Sequence, residues 1–358
     1  MVTRHNQVFA DCRSMDLIPS ESVQLVVTSP PYPMIEMWDG IFSSMEPEIS
    51  DLMRFQPEQA FEKMHNVLDQ VWSETFRVLS PGGFCCINIG DATRSVNGHF
   101  RLFSNHSRII QKCTEIGFTN LPPVIWRKPT NAPNKFMGSG MLPAGAYITY
   151  EHEYILVLRK GAKRDFSTAA LKHLRNASAY FWEERNIWFS DLWQLNGTKQ
   201  AISKTSRSRS AAFPVELPYR LINMYSVYGD TVLDPFMGTG TTTIAAIASG
   251  RNSIGFEIDE SFKPHQESAE LAEIVSLSNK MIEERLQRHL NFVQDRIADG
   301  KDIKHMNEHY GFPVMTAQER QAQFYCITEI KSSTDGLSVK YVENNKDSSL
   351  AQNMKATA

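Results

Sequence analysis

The segment Thr28-Ser29-Pro30-Pro31-Tyr32 combines groups that could position an amino group for reaction. The two prolines restrict the backbone, because their rings lock φ. The Ser29 hydroxyl and the Pro30 carbonyl could then accept hydrogen bonds from one amino group. The Tyr32 ring could stack on a base held outside its duplex. The same five residues could also form an ordinary proline turn, so this pattern needs support from elsewhere in the chain.

A second segment, Asp234 to Thr242, has the composition of a ligand-binding turn between a strand and a helix. Gly238 and Gly240 follow the predicted strand end, and glycine lets the backbone approach a ligand closely. The segment departs from a dinucleotide fingerprint, because Thr243 stands in place of the third glycine. It also departs from a phosphate-binding loop, because no Lys-Ser or Lys-Thr follows the glycines. Alone, this turn is a weak signal.

Glu257 closes the next predicted strand, 19 residues after Gly238. A carboxylate at this spacing can accept hydrogen bonds from the hydroxyl groups of a ribose. A solvated carboxylate at a strand end has the same sequence signature. The spacing by itself leaves both interpretations open.

The composition is that of an ordinary soluble protein of 358 residues, with 42% hydrophobic and 22% charged residues and a net charge of −3. This length allows two or three domain-sized units. The near-neutral charge excludes a uniformly basic surface but allows a local basic patch. Neither a run of 18 apolar residues nor a signal peptide is present. We therefore expect a cytoplasmic protein without membrane contact.

The five cysteines are odd in number and have no Cys-x-x-Cys spacing, which argues against a disulfide framework and a zinc site. We expect reduced, mostly buried thiols and no metal. They are Cys12, Cys85, Cys86, Cys113 and Cys326.

Strands and helices are predicted to alternate on both sides of a charged central region, which indicates a parallel α/β sheet. Hydrophobic patterns predict strands at 22–27, 84–89, 149–159, 231–234 and 253–258, and helices at 58–79, 101–116, 215–227 and 241–249. Two further segments are predicted to be irregular, namely an inserted loop at 39–57 and a turn at 81–83.

The central region and the C-terminal part have different patterns. In residues 160–211 the apolar period fades, and residues 199–210 contain cations but no acid. A long charged helix is predicted at about 267–298, followed by a hairpin within 323–342. The final 14 residues are predicted to be disordered.

In combination, four segments closely resemble the amino-methyltransferases of DNA. They are TSPPY at 28–32, AAFPVELPYRLI at 211–222, GDTVLDPFMGTGTTTIAA at 229–246 and GRNSIGFEID at 250–259. Their order is similar to that of the permuted β group, in which the catalytic motif precedes the cofactor motif. LSPGG at 79–83, NIGD at 88–91 and HEYIL at 152–156 also match. The resemblance covers about residues 5–160 and 211–262.

This resemblance implies a doubly wound, mostly parallel, Rossmann-like methyltransferase sheet. Residues 1–160 would form its catalytic half and 212–262 its S-adenosylmethionine-binding half. Residues 161–211 would form an inserted target-recognition region, and 263–358 a C-terminal helical extension. The basic residues expected to contact DNA phosphates are Lys199, Lys204, Arg207 and Arg209. The 39–57 insertion could also approach DNA.

The resemblance also implies roles for individual residues. Ser29, Pro30, Pro31 and Tyr32 would be the catalytic tetrad. Glu257 would hold the ribose, and Asp11 would lie near the adenine amino group, although Ala10 replaces the usual glycine before it. The complete set expected to contact S-adenosylmethionine is Asp11, Thr28, Phe213, Pro214, Asp234, Pro235, Phe236, Gly238, Thr239, Gly240, Thr241 and Glu257.

The residue type at position 29 indicates which atom of the base is methylated. In this family serine there usually accompanies cytosine N4, and aspartate usually accompanies adenine N6. We therefore expect a cytosine-N4 methyltransferase, with adenine N6 as the alternative. Methylation at cytosine C5 is disfavoured, because it needs a cysteine nucleophile that usually follows a proline, and no cysteine here does.

The expected partners are double-stranded DNA and, in a restriction–modification system, an endonuclease that cuts the same site. The protein would then be a nucleoid-associated monomer or homodimer. Two other classes remain open from the residues alone. One is an RNA or protein amino-methyltransferase, in which asparagine often opens the tetrad. The other is a nucleic-acid-binding protein that keeps the fold without catalysis.

Overall fold

The computed structural model describes residues 1–128, 137–138, 142–196, 213–262, 268–333 and 336–344. The strands in these ranges are β1 (Val2–Phe9), β2 (Val23–Thr28), β3 (Leu79–Ile89), β4 (Ala92–Val96), β5 (His99–Phe103), β6 (Phe118–Arg127), β7 (Met137–Gly138), β8 (Ala146–Tyr147), β9 (His152–Lys160), β10 (Leu192–Gln194), β11 (Thr231–Asp234), β12 (Asn252–Glu257), β13 (His305–Met306), β14 (Pro313–Val314), β15 (Tyr325–Ser333) and β16 (Gly336–Glu343). The α-helices are α1 (Asp39–Met45), α2 (Ile49–Phe55), α3 (Pro57–Val78), α4 (Asn105–Ile116), α5 (Ala169–Ala177), α6 (Trp182–Trp188), α7 (Glu216–Tyr225), α8 (Thr241–Ala248) and α9 (Ser268–Ala298).

Ten of these strands form one sheet, in the order β10-β6-β9-β3-β2-β11-β12-β1-β16-β15. The five central strands, from β3 to β1, are parallel to one another. β9 and β16 run antiparallel to their neighbours on both sides. Because the five central strands are parallel, their carboxyl ends all lie at the same edge of the sheet.

Helices cover both faces of the sheet, and neighbouring residues of one strand face opposite cores. Val26 of β2 packs in the core that contains Trp72 of α3, whereas Val27 packs in the core that contains Leu217 of α7. A strand buried on both faces reads as a continuous apolar run, which is the sequence pattern of β2. The predicted doubly wound, mostly parallel fold is confirmed.

Two predictions of irregular structure are wrong. Residues 39–57 contain α1 and α2 rather than a loop, because Phe42 and Ile49 are buried against the rest of the chain. Each helix has only seven residues, which is too short for a clear hydrophobic period. The turn predicted at 81–83 lies inside β3, where Gly82 adopts a φ of +83°.

The predicted long helix and hairpin of the C-terminal part are confirmed as α9 and β15–β16. The hairpin extends the main sheet, because β16 pairs antiparallel with β1, with Val2 opposite Lys340. The Tyr341 hydroxyl donates to the Ile247 carbonyl of α8 at 2.8 Å. At Gly336 a side chain is impossible, since a Cβ atom would lie 2.1 Å from the His5 carbonyl oxygen.

The structure also describes the state of the cysteines and the character of the helices. All five cysteines are unpaired, and four of them are buried. Among the described residues, no helix combines the length and apolar character needed to cross a bilayer.

Because β16 lies between β1 and β15 in the main sheet, we expect Val339→Asp to destabilise the whole fold. Val339 is fully buried, and an unpaired carboxyl at this position should lower the free energy of unfolding by about 3 kcal/mol or more. Urea unfolding followed by circular dichroism would measure it. Val342→Asp is the matched control, since Val342 is 48% exposed on the same strand. Equal stability of the two variants would contradict a structural role for the hairpin.

Candidate active site

A cavity of about 450 Å³ lies at the carboxyl edge of the central strands. This edge is where parallel α/β sheets bind ligands. Twelve residues predicted to act in catalysis or cofactor binding line it, namely Asp11, Ser29, Pro30, Pro31, Phe213, Asp234, Pro235, Phe236, Gly238, Thr239, Thr241 and Glu257. The sheet thus brings together residues that lie up to 246 positions apart in the sequence, from Asp11 to Glu257.

The glycine turn after β11 is tied to the end of β12 by one carboxylate. Gly238 and Gly240 have φ angles of +53° and +82°, which favour glycine. The Gly238 N–H donates to Glu257 Oε2 at 2.9 Å, and the Asp259 N–H donates to Glu257 Oε1 at 2.9 Å. Glu257 is therefore held by backbone groups on two segments of the cavity wall.

Asp234 is a buried carboxyl at the end of β11. Its Oδ1 atom accepts hydrogen bonds from the Thr28 hydroxyl at 2.6 Å and from the Phe236 N–H at 3.1 Å. Burial raises the pKa of Asp234 to about 6, and the negative charge of Glu257 acts in the same direction. A cation in the cavity would offset this unfavourable desolvation.

Asp11 lines the cavity, but its carboxylate already has a partner. Asp11 Oδ2 accepts hydrogen bonds from Arg13 Nε at 2.8 Å and Nη2 at 2.6 Å. Partial burial opposes ionisation, yet the hydrogen bonds and charge of Arg13 lower the pKa of Asp11 overall. Any hydrogen bond from an adenine amino group would have to use lone pairs of the Asp11 carboxylate that do not accept from Arg13.

Four predicted residues are not among those lining the cavity: Thr28, Tyr32, Pro214 and Gly240. Thr28 is fully buried behind Asp234, so it supports that carboxyl rather than facing the cavity. Gly240 is the N-cap of α8, and the Pro214 carbonyl accepts from the Leu217 N–H at 3.0 Å near the start of α7. The positions of these residues follow from backbone geometry that the motifs do not specify.

Sequence reasoning missed the part of the cavity wall that comes from the segment before α2. Trp38, Ile41, Ser44 and Met45 line the cavity from α1 and the turn preceding it. The spacing of Trp38, Ile41 and Met45 fits a helix, but it covers too few turns to be a clear signal. Other lining residues outside the motif predictions include Cys12, Phe256 and Phe262.

Two residues of the predicted tetrad, Ser29 and Tyr32, are part of a hydrogen-bonded network. The Ser29 Oγ and Tyr32 Oη atoms lie 3.0 Å apart, and Tyr32 Oη donates to Glu153 Oε2 at 2.9 Å. Asn88 Nδ2 donates to Tyr32 Oη at 2.8 Å and to Glu153 Oε2 at 2.6 Å. Lys128 forms an ion pair with the other oxygen of Glu153. The partners of the tetrad thus come from β3, β9 and the end of β6, which are adjacent in the sheet.

The surroundings of Tyr32 keep its phenol neutral and fix its ring. Burial and the negative charge of Glu153 raise the pKa of Tyr32 well above its ordinary value. The ring also packs against Gly90, where an added Cβ would lie only 3.0 Å from Tyr32 Cε2. Sequence motifs indicated Gly90 and Glu153 only as members of matching segments, without a role.

The predicted DNA-contacting residues Lys199, Lys204, Arg207 and Arg209 lie outside the described residues. The described part of the predicted recognition region contains α5, α6 and β10. Within it, Trp188 and Trp193 are buried, whereas Trp182 is 37% exposed. Trp188 and Trp193 therefore attach this region to the core of the protein.

The pKa of Asp234 predicts a pH-dependent difference in stability. The folded pKa of about 6 exceeds the ordinary value of 3.8, so the folded state holds this proton more tightly. The stabilising contribution is complete below pH 3.8 and is lost as the pH rises through about 6. Between about pH 5 and 7.5, the wild type should lose roughly 1–2 kcal/mol relative to Asp234→Asn.

Urea unfolding of the ligand-free proteins over this pH range would measure the difference. Asp299→Asn, at an exposed position, is the control and should follow the wild type. Parallel stability curves for the wild type and Asp234→Asn would show that the buried carboxyl does not titrate as expected.

The chain is similar to a family of DNA methylases and to individual members of it. A family model described as DNA methylase, covering N6 and N4 enzymes, matches residues 23–268. The chain is 48% identical to type II methyltransferase M.MthZI of Methanothermobacter thermautotrophicus, over 91% of each protein. It is 54% identical to type II methyltransferase M.MjaI of Methanocaldococcus jannaschii, over 74% of this chain and 90% of that protein.

A solved structure from Thermus thermophilus is also similar. It is described as a putative DNA modification methylase in complex with S-adenosyl-L-methionine, and the TM-score is 0.56 at 34% identity. The match covers 72% of this chain and 91% of that one. The expectation of S-adenosylmethionine as cofactor is confirmed at the level of the family. The chain belongs to the family of N6/N4 DNA methylases.

Proposed function

We propose that the protein methylates the exocyclic N4 atom of a cytosine flipped out of double-stranded DNA. The observation that carries this assignment is Ser29, the first residue of the tetrad, at the rim of the cofactor cavity. By the family resemblance, serine at this position usually accompanies cytosine N4. Its hydroxyl is uncharged and small, so it can accept a hydrogen bond from an amino group without adding a negative charge to the site.

The charged residues in the cavity wall suit S-adenosylmethionine. The wall contains the carboxyls of Asp234 and Glu257, which suit a ligand with a sulfonium and an ammonium group. Asp234 and the glycine turn would hold the methionine part, and Glu257 would hold the ribose. The cofactor supplies a methyl group already activated by the sulfonium. Trp38 and Phe262 add flat apolar walls to this site.

The protein must then orient the amine, because the lone pair of an exocyclic nitrogen is conjugated into the base. The Ser29 hydroxyl and the Pro30 carbonyl can accept the two amine hydrogens and so favour a pyramidal nitrogen. Alignment of this kind can contribute about 7–11 kcal/mol to a reaction between two bound groups. Flipping the base out of the duplex costs a few kcal/mol.

We further propose that the methyltransferase protects host DNA in a restriction–modification system. The relatives M.MthZI and M.MjaI are named type II methyltransferases, which supports this role. The partner would be an endonuclease with the same recognition site, and the enzyme would act as a monomer or homodimer. Contacts of residues 161–211 with DNA phosphates remain a prediction.

Methylation of adenine N6 is the alternative, because the matching family model covers both kinds of enzyme. Both reactions use the same fold and the same cofactor. They differ in the base that occupies the pocket beside Ser29.

Nucleoside analysis of methylated DNA tests the proposal. The protein would be incubated with S-adenosylmethionine and unmethylated DNA of varied sequence, and the digested nucleosides would be quantified by mass spectrometry. We expect N4-methylcytosine from the wild type and a roughly 100-fold lower yield from Ser29→Ala, since one amine contact is lost. Ser22→Ala is the control, because its exposed hydroxyl bonds the Pro19 carbonyl.

Accumulation of N6-methyladenine would overturn the cytosine assignment and keep the fold and cofactor. Full activity of Ser29→Ala would show that the Ser29 hydroxyl does not contact the reacting amine.

A further inference from the structure

Methylation of an amino group replaces one of its hydrogens, so one proton must leave the nitrogen in every turnover. We propose that Glu153 accepts this proton through a hydrogen-bonded chain formed by Ser29 and Tyr32. This inference rests on the proposed function only in taking an amino group at Ser29 as the reacting group. It applies equally to cytosine and adenine.

The direction of the chain follows from the acceptor at its end. Glu153, paired with Lys128, is a carboxylate and can only accept hydrogen bonds. The single hydrogen of Tyr32 Oη therefore points to Glu153 Oε2, 2.9 Å away. The contact of 3.0 Å between Ser29 Oγ and Tyr32 Oη then requires Ser29 to donate. Ser29 Oγ has two lone pairs, and one of them accepts a long contact of 3.5 Å from Asn88 Nδ2. The other lone pair is left to accept a hydrogen from the substrate amine.

Asn88 strengthens this order without carrying the proton. Its side-chain atom at 2.6 Å from Glu153 Oε2 must be the NH₂ nitrogen, because two acceptors at this distance would repel. The same nitrogen donates to Tyr32 Oη at 2.8 Å. Asn88 is buried, and an amide does not titrate, so this residue holds Tyr32 and Glu153 in place.

The other groups around Glu153 suit a final acceptor. Among the described residues, the charged or titratable groups that contact it are Lys128 at the end of β6 and Tyr32 after β2. Lys128 stabilises the carboxylate before the proton arrives. The Glu153 side chain is 14% exposed, which gives the proton a route to water after turnover. The neutral phenol of Tyr32 passes a proton on and does not retain a charge.

The proton count balances over the chain. The amine hydrogen moves to Ser29 Oγ, the Ser29 hydrogen moves to Tyr32 Oη, and the Tyr32 hydrogen moves to Glu153 Oε2. Both hydroxyl groups end as neutral hydroxyls, and Glu153 ends as a neutral carboxylic acid. Loss of its proton to water then restores the starting state. Glu153 acts through Tyr32 and does not contact the reacting amine.

Single-turnover methylation at saturating S-adenosylmethionine and DNA tests the relay. The variants are Glu153→Gln, which keeps the shape but cannot take a proton, and Tyr32→Phe, which keeps the ring but removes the hydroxyl. Glu151→Gln is the matched control. Glu151 lies two positions before Glu153 in the sequence and forms an ion pair with the exposed Arg127. The total methyl transferred is counted, so a product of N6-methyladenine would change the base assignment and still test the relay.

We expect each relay variant to slow methyl transfer about 100-fold, within the range of general-base effects. The dissociation constants for S-adenosylmethionine and DNA should stay close to those of the wild type. The rate of methyl transfer by Glu151→Gln should equal that of the wild type. The double variant should be no slower than either single variant, because both changes interrupt the same chain.

A second readout uses the ligand-free protein. With tyrosine labelled by ¹³C at Cζ, the Tyr32 resonance is identified by its absence from Tyr32→Phe. Its chemical shift should be the same in the wild type and in Glu151→Gln. It should change in Glu153→Gln, because the carboxylate that accepts the Tyr32 hydrogen is replaced by a neutral amide. The relay is overturned if Glu153→Gln keeps the wild-type rate, if its loss of activity lies in binding, or if the effects of the two single variants on the rate multiply.

Discussion

The pairing of β11 between β2 and β12 is the constraint on which the site depends. It places Thr28, Asp234 and Glu257 at the same edge of the sheet, because all three strands run in parallel. The hydrogen bond of 2.6 Å from Thr28 to Asp234 joins residues 206 positions apart in the sequence. Through this contact the segment that carries the tetrad and the segment that carries the glycine turn form one wall.

Two carboxyls at this edge have different electrostatic surroundings. Asp234 accepts hydrogen bonds from the neutral donors Thr28 and Phe236, and burial raises its pKa to about 6. Glu153 has the ammonium group of Lys128 and the donors Tyr32 and Asn88. The first arrangement favours binding of a cationic ligand, and the second keeps a carboxylate ready to accept a proton. Their different partners thus correspond to different tasks at one site.

The C-terminal part contributes to this architecture from a distance. The β15–β16 hairpin covers β1, whose other edge pairs with β12 and so supports Glu257. Tyr341 connects the hairpin to α8, the helix that begins at the glycine turn. The hairpin therefore stabilises two elements that shape the cavity, although none of its described residues lines it.

The sequence by itself determined four of the five central strands, the order of the motifs and half of the residues that line the cavity. Strands buried on both faces must be continuous apolar runs, and a turn that approaches a ligand needs glycine at positions such as Gly238. These requirements are local, so they are visible without a structure. The helical character of residues 39–55 was hidden, because two seven-residue helices owe their stability to the burial of Phe42 and Ile49.

Only the tertiary structure decided which polar groups meet. Asn88 and Glu153 lie 65 positions apart, and the antiparallel pairing of β3 with β9 brings them together beside Tyr32. The pairing of Asp11 with Arg13 and the position of Thr28 behind Asp234 were likewise invisible in the motifs. Motifs record which residue types a site needs, whereas hydrogen bonds and pKa values depend on distances that only the packed sheet sets.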